Sequence, residues 1–197
     1  MTIGGSLTFS PRQRTAAGIS IATAILAVTI AALLAEGRVP WCRCGSIKVW
    51  SSNIWSSENS QQLTDPYTVT HLTHGVAFYG LLRIVAGGLP LGWRGLLALT
   101  LESGWEVFEN TDFVIRRYRA ATIALDYDGD SVINSLGDIF AAMLGFVLAS
   151  RLPASVTAIG IILLEGLLML WIRDSLVLNI LMLLVPIPAL KHWQLGG

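Results

Sequence analysis

Charge is scarce in this chain. Only 13% of its 197 residues are Asp, Glu, Lys or Arg, where soluble domains carry about a quarter. Thirteen basic and thirteen acidic side chains leave no net charge, which excludes the basic footprint of a nucleic-acid binder and the excess of one sign that draws a strongly charged partner. Histidine is limited to three residues, and His192 lies far from the other two. That argues against His-rich membrane hydroxylases and desaturases and against a three-histidine zinc amidase. The only cysteines are Cys42 and Cys44 in "WCRC". Two thiols without further ligands make a poor zinc site, and a pair two residues apart is expected to be too strained for an easy disulfide. Nucleophile elbow, P-loop and dinucleotide fingerprint are all missing.

Apolar length is what the chain has instead. It is 53% hydrophobic, with a mean hydropathy of +0.63. A bilayer core takes about 20 apolar residues per helix. Segments near 16–35, 68–87, 91–110, 131–150, 154–172 and 175–190 meet or approach that length. The expected fold is all-α, a single polytopic transmembrane helix bundle of five or six spans. The count is open because Pro186 and Pro188 interrupt the last segment. The first segment ends in "EGR" rather than a small-residue cleavage motif, so it is expected to remain as a span. Segments 36–66 and 111–130 are too polar to cross and are expected as loops on one side. Basic residues divide almost evenly between the two sides, so they do not orient the chain.

The ionisable residues inside the spans are not scattered. His71 and His74 lie three apart; Glu102, Glu106 and Asn110 succeed one another at helical spacing; so do Asp130, Asn134 and Asp138. Each set forms one stripe on a helix. A charge at mid-bilayer costs about 2.5–3.5 kcal/mol on insertion scales, so such groups face a bundle interior and pair. Alternating spans bring all three stripes into one leaflet, as the walls of a polar cavity.

The stripes admit three readings. His71, His74, Glu106 and Asp138 match a divalent-metal set, because imidazole with carboxylates suits zinc, manganese or iron. Without a metal, His71, Glu102, Glu106 and Asp138 form an acid/base set. As plain packing, the stripes pin three helices together or carry protons. Asn110, Asp130 and Asn134 are expected as substrate contacts, with Arg116, Arg117 and Arg119 of "RRYR" at the rim, since guanidinium forks match phosphate oxygens. "DYDGDS" departs from a calcium loop because its glycine comes two positions early.

"SSENSQQLTDPYTVTHLTHGVAFY" and "ESGWEVFENTDFVIRRYRAATIALDYDGDSVINSLGDIFAAMLGF" resemble an uncharacterised family of bacterial multi-pass membrane proteins, over roughly residues 38–150. The resemblance implies a bacterial cytoplasmic membrane and no particular activity. In outline, acid, amide and acid on a small-residue helix is also similar to the VanZ-like membrane proteins, a likeness that transfers no catalytic residue. The expected activity is hydrolysis or transfer on a lipid or lipid-linked substrate; the alternatives are a proton- or ligand-handling transporter and an accessory subunit. Membrane lipids are the expected partners, with other membrane proteins in the last case and nucleic acid in none.

Overall fold

A computed structural model describes residues 11–196. Among them are eight helices and no strand: α1 (Pro11–Ala35), α2 (Thr68–Val85), α3 (Leu91–Glu109), α4 (Asp112–Ala121), α5 (Val132–Arg151), α6 (Ala154–Ile172), α7 (Leu176–Leu184) and α8 (Pro188–Gln194). Three helical segments, Thr15–Ala35, Val132–Arg151 and Ala154–Ile172, are long and apolar enough to cross a membrane. That is fewer than the five or six spans expected. α2 and α3 have the length, but Arg94, Glu102, Glu106 and Glu109 on α3, and the threonines and histidines of α2, lower their apolar character.

Two more expectations need correction. Segment 111–130 is not simply a loop, because α4 occupies half of it. Thr111 caps that helix through its side chain, and the "RRYR" residues continue it. The sixth segment is two short helices with Pro186 and Pro188 at the break. Proline supplies no amide donor, so carbonyls near the end of α7 need other partners. Arg117 supplies them, donating to Leu183 O at 2.7 Å and Leu184 O at 3.4 Å.

Helix ends obey local chemistry. Gly37 closes α1 at φ +82°. The amides of Gly37 and Arg38 bond back to Leu34 O and Leu33 O, a Schellman end. Ser131 caps α5 by accepting from the Asn134 amide at 3.2 Å, and Ser175 caps α7 in the same way. Glu165, alone in the middle of α6, turns its carboxylate to the Val177 amide of α7 at 3.1 Å.

α2 and α5 form the central pair, α3 lies against both, and α1 leans on α3. The pair meets backbone to backbone. A Cβ on Gly75 would lie 1.7 Å from Ala142 O, and one on Gly145 would lie 2.0 Å from Leu72 O. The segment before α2 and the one before α5 join at the same end of this pair. Ser131 N donates to Ser60 O, Val132 N to Val39 O and Gln61 Nε2 to Gly129 O. Many large apolar side chains of α1 and α6 are exposed, among them Val28, Ile162 and Leu170, as expected of helices that face lipid.

Cys42 and Cys44 are joined by a disulfide, with Cα atoms 5.2 Å apart. That separation lies inside the usual range. The expectation that spacing alone opposes the bond is therefore corrected.

Candidate functional site

His71 sits in the first turn of α2, and His74 comes one turn later on the same side. Glu102 and Glu106 face them from α3, and Asp138 from α5. All but His74 are buried: Glu102 and Glu106 are 0% exposed, Asp138 4% and His71 6%. His71 Nδ1 lies 2.6 Å from Glu102 Oε1, and His74 Nδ1 lies 3.2 Å from Glu102 Oε2. Glu102 therefore ties the two rings together, and they meet edge to face with centroids 4.8 Å apart.

Glu106 is different. Its Oε1 comes within 3.2 Å of His71 Nδ1, yet neither of its oxygens has a hydrogen-bond partner. One imidazole nitrogen carries at most one proton, and at Nδ1 the contact with Glu102 is shorter and better aligned. Asp138 Oδ1 is also without a partner, and its Oδ2 lies 3.9 Å from His71 Nε2. A buried carboxylate left without a partner is costly, whereas a bound cation satisfies it. Two triads, His71/His74/Glu102 and His71/Glu106/Asp138, each bring one ligand atom per residue to within 4.8 Å of the others.

The remaining expected site residues are engaged in holding segments together. Asn110 donates to Asp130 Oδ2 at 2.9 Å and accepts from the Asp130 amide at 2.7 Å. Asn134 donates to Gln62 O at 2.8 Å. Asp130 also accepts from the Tyr127 hydroxyl at 2.9 Å. Burial raises the Asp130 carboxyl pKa, against the bonds from Tyr127 and Asn110 that lower it. None of the three arginines lines the cavity at the cluster. Arg116 lies 3.7 Å from Asp112, Arg117 holds α7, and Arg119 bonds Tyr127 O and Asp128.

Sequence reading missed Asp65, Tyr67 and Asp174. Asp65 accepts from the amides of Ser60, Tyr67 and Thr68, which sets the start of α2 one turn before His71. The neighbouring "TDP" is the signal, an acid placed to receive helix-start amides. Asp174 is buried and accepts from Ser175 N, Gln194, Tyr67 and Asn179. Burial pushes its carboxyl up from 3.8 to about 6, and those four bonds limit the rise. The folded state thus holds this proton more tightly than the unfolded chain. The stabilisation is complete below pH 3.8 and is lost as pH rises through about 6. At roughly 1.4 kcal/mol per unit it amounts to about 3 kcal/mol at most. The thermal midpoint of the wild type is expected to fall between about pH 4 and 6, and Asp174→Asn to flatten that slope. Parallel slopes would show that Asp174 does not carry the dependence.

A small cavity of about 60 Å³ adjoins the cluster, lined in part by His71, His74, Glu109, Asn134 and Asp138. Above it opens a cleft of about 750 Å³ walled by the segments before α2 and α5. The two share Asn59, Tyr67, Ala124, Tyr127 and Asp130 in their walls.

These features define a protein whose described residues are all-helical, with three helices among them apolar enough to span a membrane and a buried His/Glu/Asp cluster between α2, α3 and α5. The chain belongs to the family described as "protein of unknown function (DUF2585)", which it matches over residues 33–196. Bacterial relatives carry the name UPF0314 protein. That of Paracoccus denitrificans is 51% identical over 86% of this chain and 89% of its own length. That of Brucella anthropi is 45% identical over 93% of each. That of Sphingopyxis alaskensis is 42% identical over 91% of this chain and 96% of its own. No solved structure matches. The likeness in outline to VanZ-like proteins gains no support from these matches.

Proposed function

We propose that the chain is a multi-pass protein of the bacterial inner membrane whose buried cluster binds a divalent metal and uses it in hydrolysis or transfer on a lipid-linked substrate. The observation that carries this reading is Glu106: fully buried, beside His71 and Asp138, with both oxygens unpartnered. Glu102 orients His71 through Nδ1, which leaves Nε2 as the ligand nitrogen, an arrangement typical of metal-bound imidazole. Glu106 and Asp138 complete a three-residue set with positions left for water and substrate. Such an ion lowers the pKa of its water and polarises an ester or phosphoester oxygen. His74 stands beside the set as the group that moves protons. In this reading α2 and α3 also cross the membrane, with their polar faces turned inward.

Elemental analysis of protein purified without chelators tests it. Near-stoichiometric zinc, manganese or iron is expected in the wild type and none in His71→Ala. A metal-free wild type that also fails to take up added ion would sink the metal and leave acid/base chemistry or proton handling.

The disulfide supports an orientation. Such bonds persist in the periplasm and rarely in the cytosol, so the Cys42–Cys44 segment faces outward. A membrane-impermeant maleimide is expected to label intact cells only after a reductant is added. Labelling that also requires lysis would reverse the orientation.

A further inference from the structure

The chain after α6 doubles back on itself. Gln194, the last residue of α8, donates to Asp174 Oδ1 at 3.1 Å, and Arg173 Nη1 donates to Trp193 O at 3.0 Å. The end of α8 therefore meets the point where the chain left α6. Tyr67, just before α2, donates to Asp174 Oδ2 at 3.3 Å, so that point lies at the end of the bundle beside segment 36–66. The turn between α7 and α8 is tied to the same end through α4. Arg117 donates to Leu183 O at 2.7 Å, and Lys191 Nζ to Ala120 O at 2.9 Å. Start, turn and finish of the pair all sit on one side. α7 has nine residues, about 14 Å at 1.5 Å per residue, against a bilayer core of about 30 Å.

The pair nevertheless reaches into apolar depth. The Val177 amide bonds to Glu165, so α7 starts beside the last two turns of the spanning helix α6. Val177, Ile180, Leu181 and Leu184 follow one another at i, i+3, i+4 and i+7, a single helix face. They are 63, 47, 37 and 73% exposed. That face bears no polar side chain, and it continues the exposed apolar surface of α6, which includes Leu170. Trp171 stacks on Trp50 with centroids 6.1 Å apart, and both indoles are exposed, as is Trp193. Indoles gather at the headgroup level of a bilayer.

We propose that α7 and α8 form a hairpin seated in one leaflet, on the side of segment 36–66, with the Val177–Leu184 face against acyl chains and the end of α8 on that same side. The other side of α7 carries Asn179, which lines the cavity at His71 and Asp138. α7 is thus the wall between that cavity and the leaflet, on the side from which a lipid-linked substrate arrives. That last step alone rests on the catalytic reading of the cluster.

The test uses the full chain with Cys42→Ser and Cys44→Ser, carrying one new cysteine at a time at an open position. Leu195→Cys, Ser52→Cys and Gly88→Cys are treated with a membrane-impermeant maleimide in spheroplasts and in inverted vesicles. Leu195→Cys is expected to label in the same preparation as Ser52→Cys. Labelling in the opposite preparation means that the hairpin crosses, and overturns the proposal. Gly88→Cys, between α2 and α3, tests whether those two helices cross. If it labels together with Ser52→Cys, that separate reading fails and the hairpin stands. In liposomes, a spin label at Ile180→Cys is expected to meet oxygen, which partitions into acyl chains, more often than a water-soluble nickel chelate. A label that meets the chelate more readily faces water, and one that meets neither is covered by protein. Either result overturns the proposal.

Discussion

Glu106→Gln is expected to leave the helices folded and to weaken metal binding by at least about 100-fold. Loss of a group that merely orients a ligand already costs about 10–100-fold, and Glu106 is placed as a ligand. The same substitution is expected to raise the thermal midpoint of metal-free protein. Without an ion, the wild type holds an unpartnered carboxylate at 0% exposure. Glutamine removes the cost of burying an acid whose oxygens have no hydrogen-bond partner.

Glu102→Gln gives the contrast. Glu102 holds His71 and His74 at 2.6 and 3.2 Å, so its loss is expected to lower stability with or without ion. A cluster that served packing alone would lose stability in both variants and bind no metal in either. Ion-binding titration and thermal melts of the two variants, each with and without ion, check this.

The stripes were legible because a helix repeats every 3.6 residues. His71 and His74, Glu102 and Glu106, and Asp138 could be placed on helix faces from spacing alone. The mid-bilayer cost then required those faces to turn toward one another. The structure brings them together, with His71 touching Glu102, Glu106 and Asp138. Partner choice was not legible. Asn110 clamps Asp130, and Arg117 serves carbonyls 66 and 67 residues away, because the fold leaves backbone groups there to satisfy. A loop arginine in a sequence looks like a ligand for phosphate, but a broken helix end close by claims it first. Asp65 and Asp174 lie between helices, where no periodicity marks them. Two of the three expected spans that fall short in length or apolar character, α2 and α3, carry His71, His74, Glu102 and Glu106. The polar residues that mark the site in the sequence are those that lower the apolar character of its helices.

A second large effect concerns the α2–α5 contact, which places His71 against Asp138. Gly75 lies four residues after His71, and Gly145 seven after Asp138. At both positions an added Cβ would fall inside a neighbouring backbone: 1.7 Å from Ala142 O at Gly75, 2.0 Å from Leu72 O at Gly145. The obstacles are main-chain carbonyls inside helices, and no rotamer change moves them. The two helices can only separate. Overpacking usually costs about 1–3 kcal/mol where side chains can adjust, and here they cannot. Gly75→Val and Gly145→Val are each expected to cost more than about 3 kcal/mol, against a domain stability of about 5–15 kcal/mol. Both are expected to accumulate poorly and to lose metal binding together with cooperative melting. Gly104 on α3 and Gly160 on α6 have nothing within 4 Å of an added Cβ. Alanine at either is expected to be neutral or to gain up to about 1 kcal/mol from helix propensity. A chain that tolerates valine at 75 or 145 as it tolerates alanine at 104 does not pack α2 on α5 in this way. The helix separation that holds His71 beside Asp138 is set by the lack of a side chain at these two glycines, so the cluster depends on residues that carry no chemistry themselves.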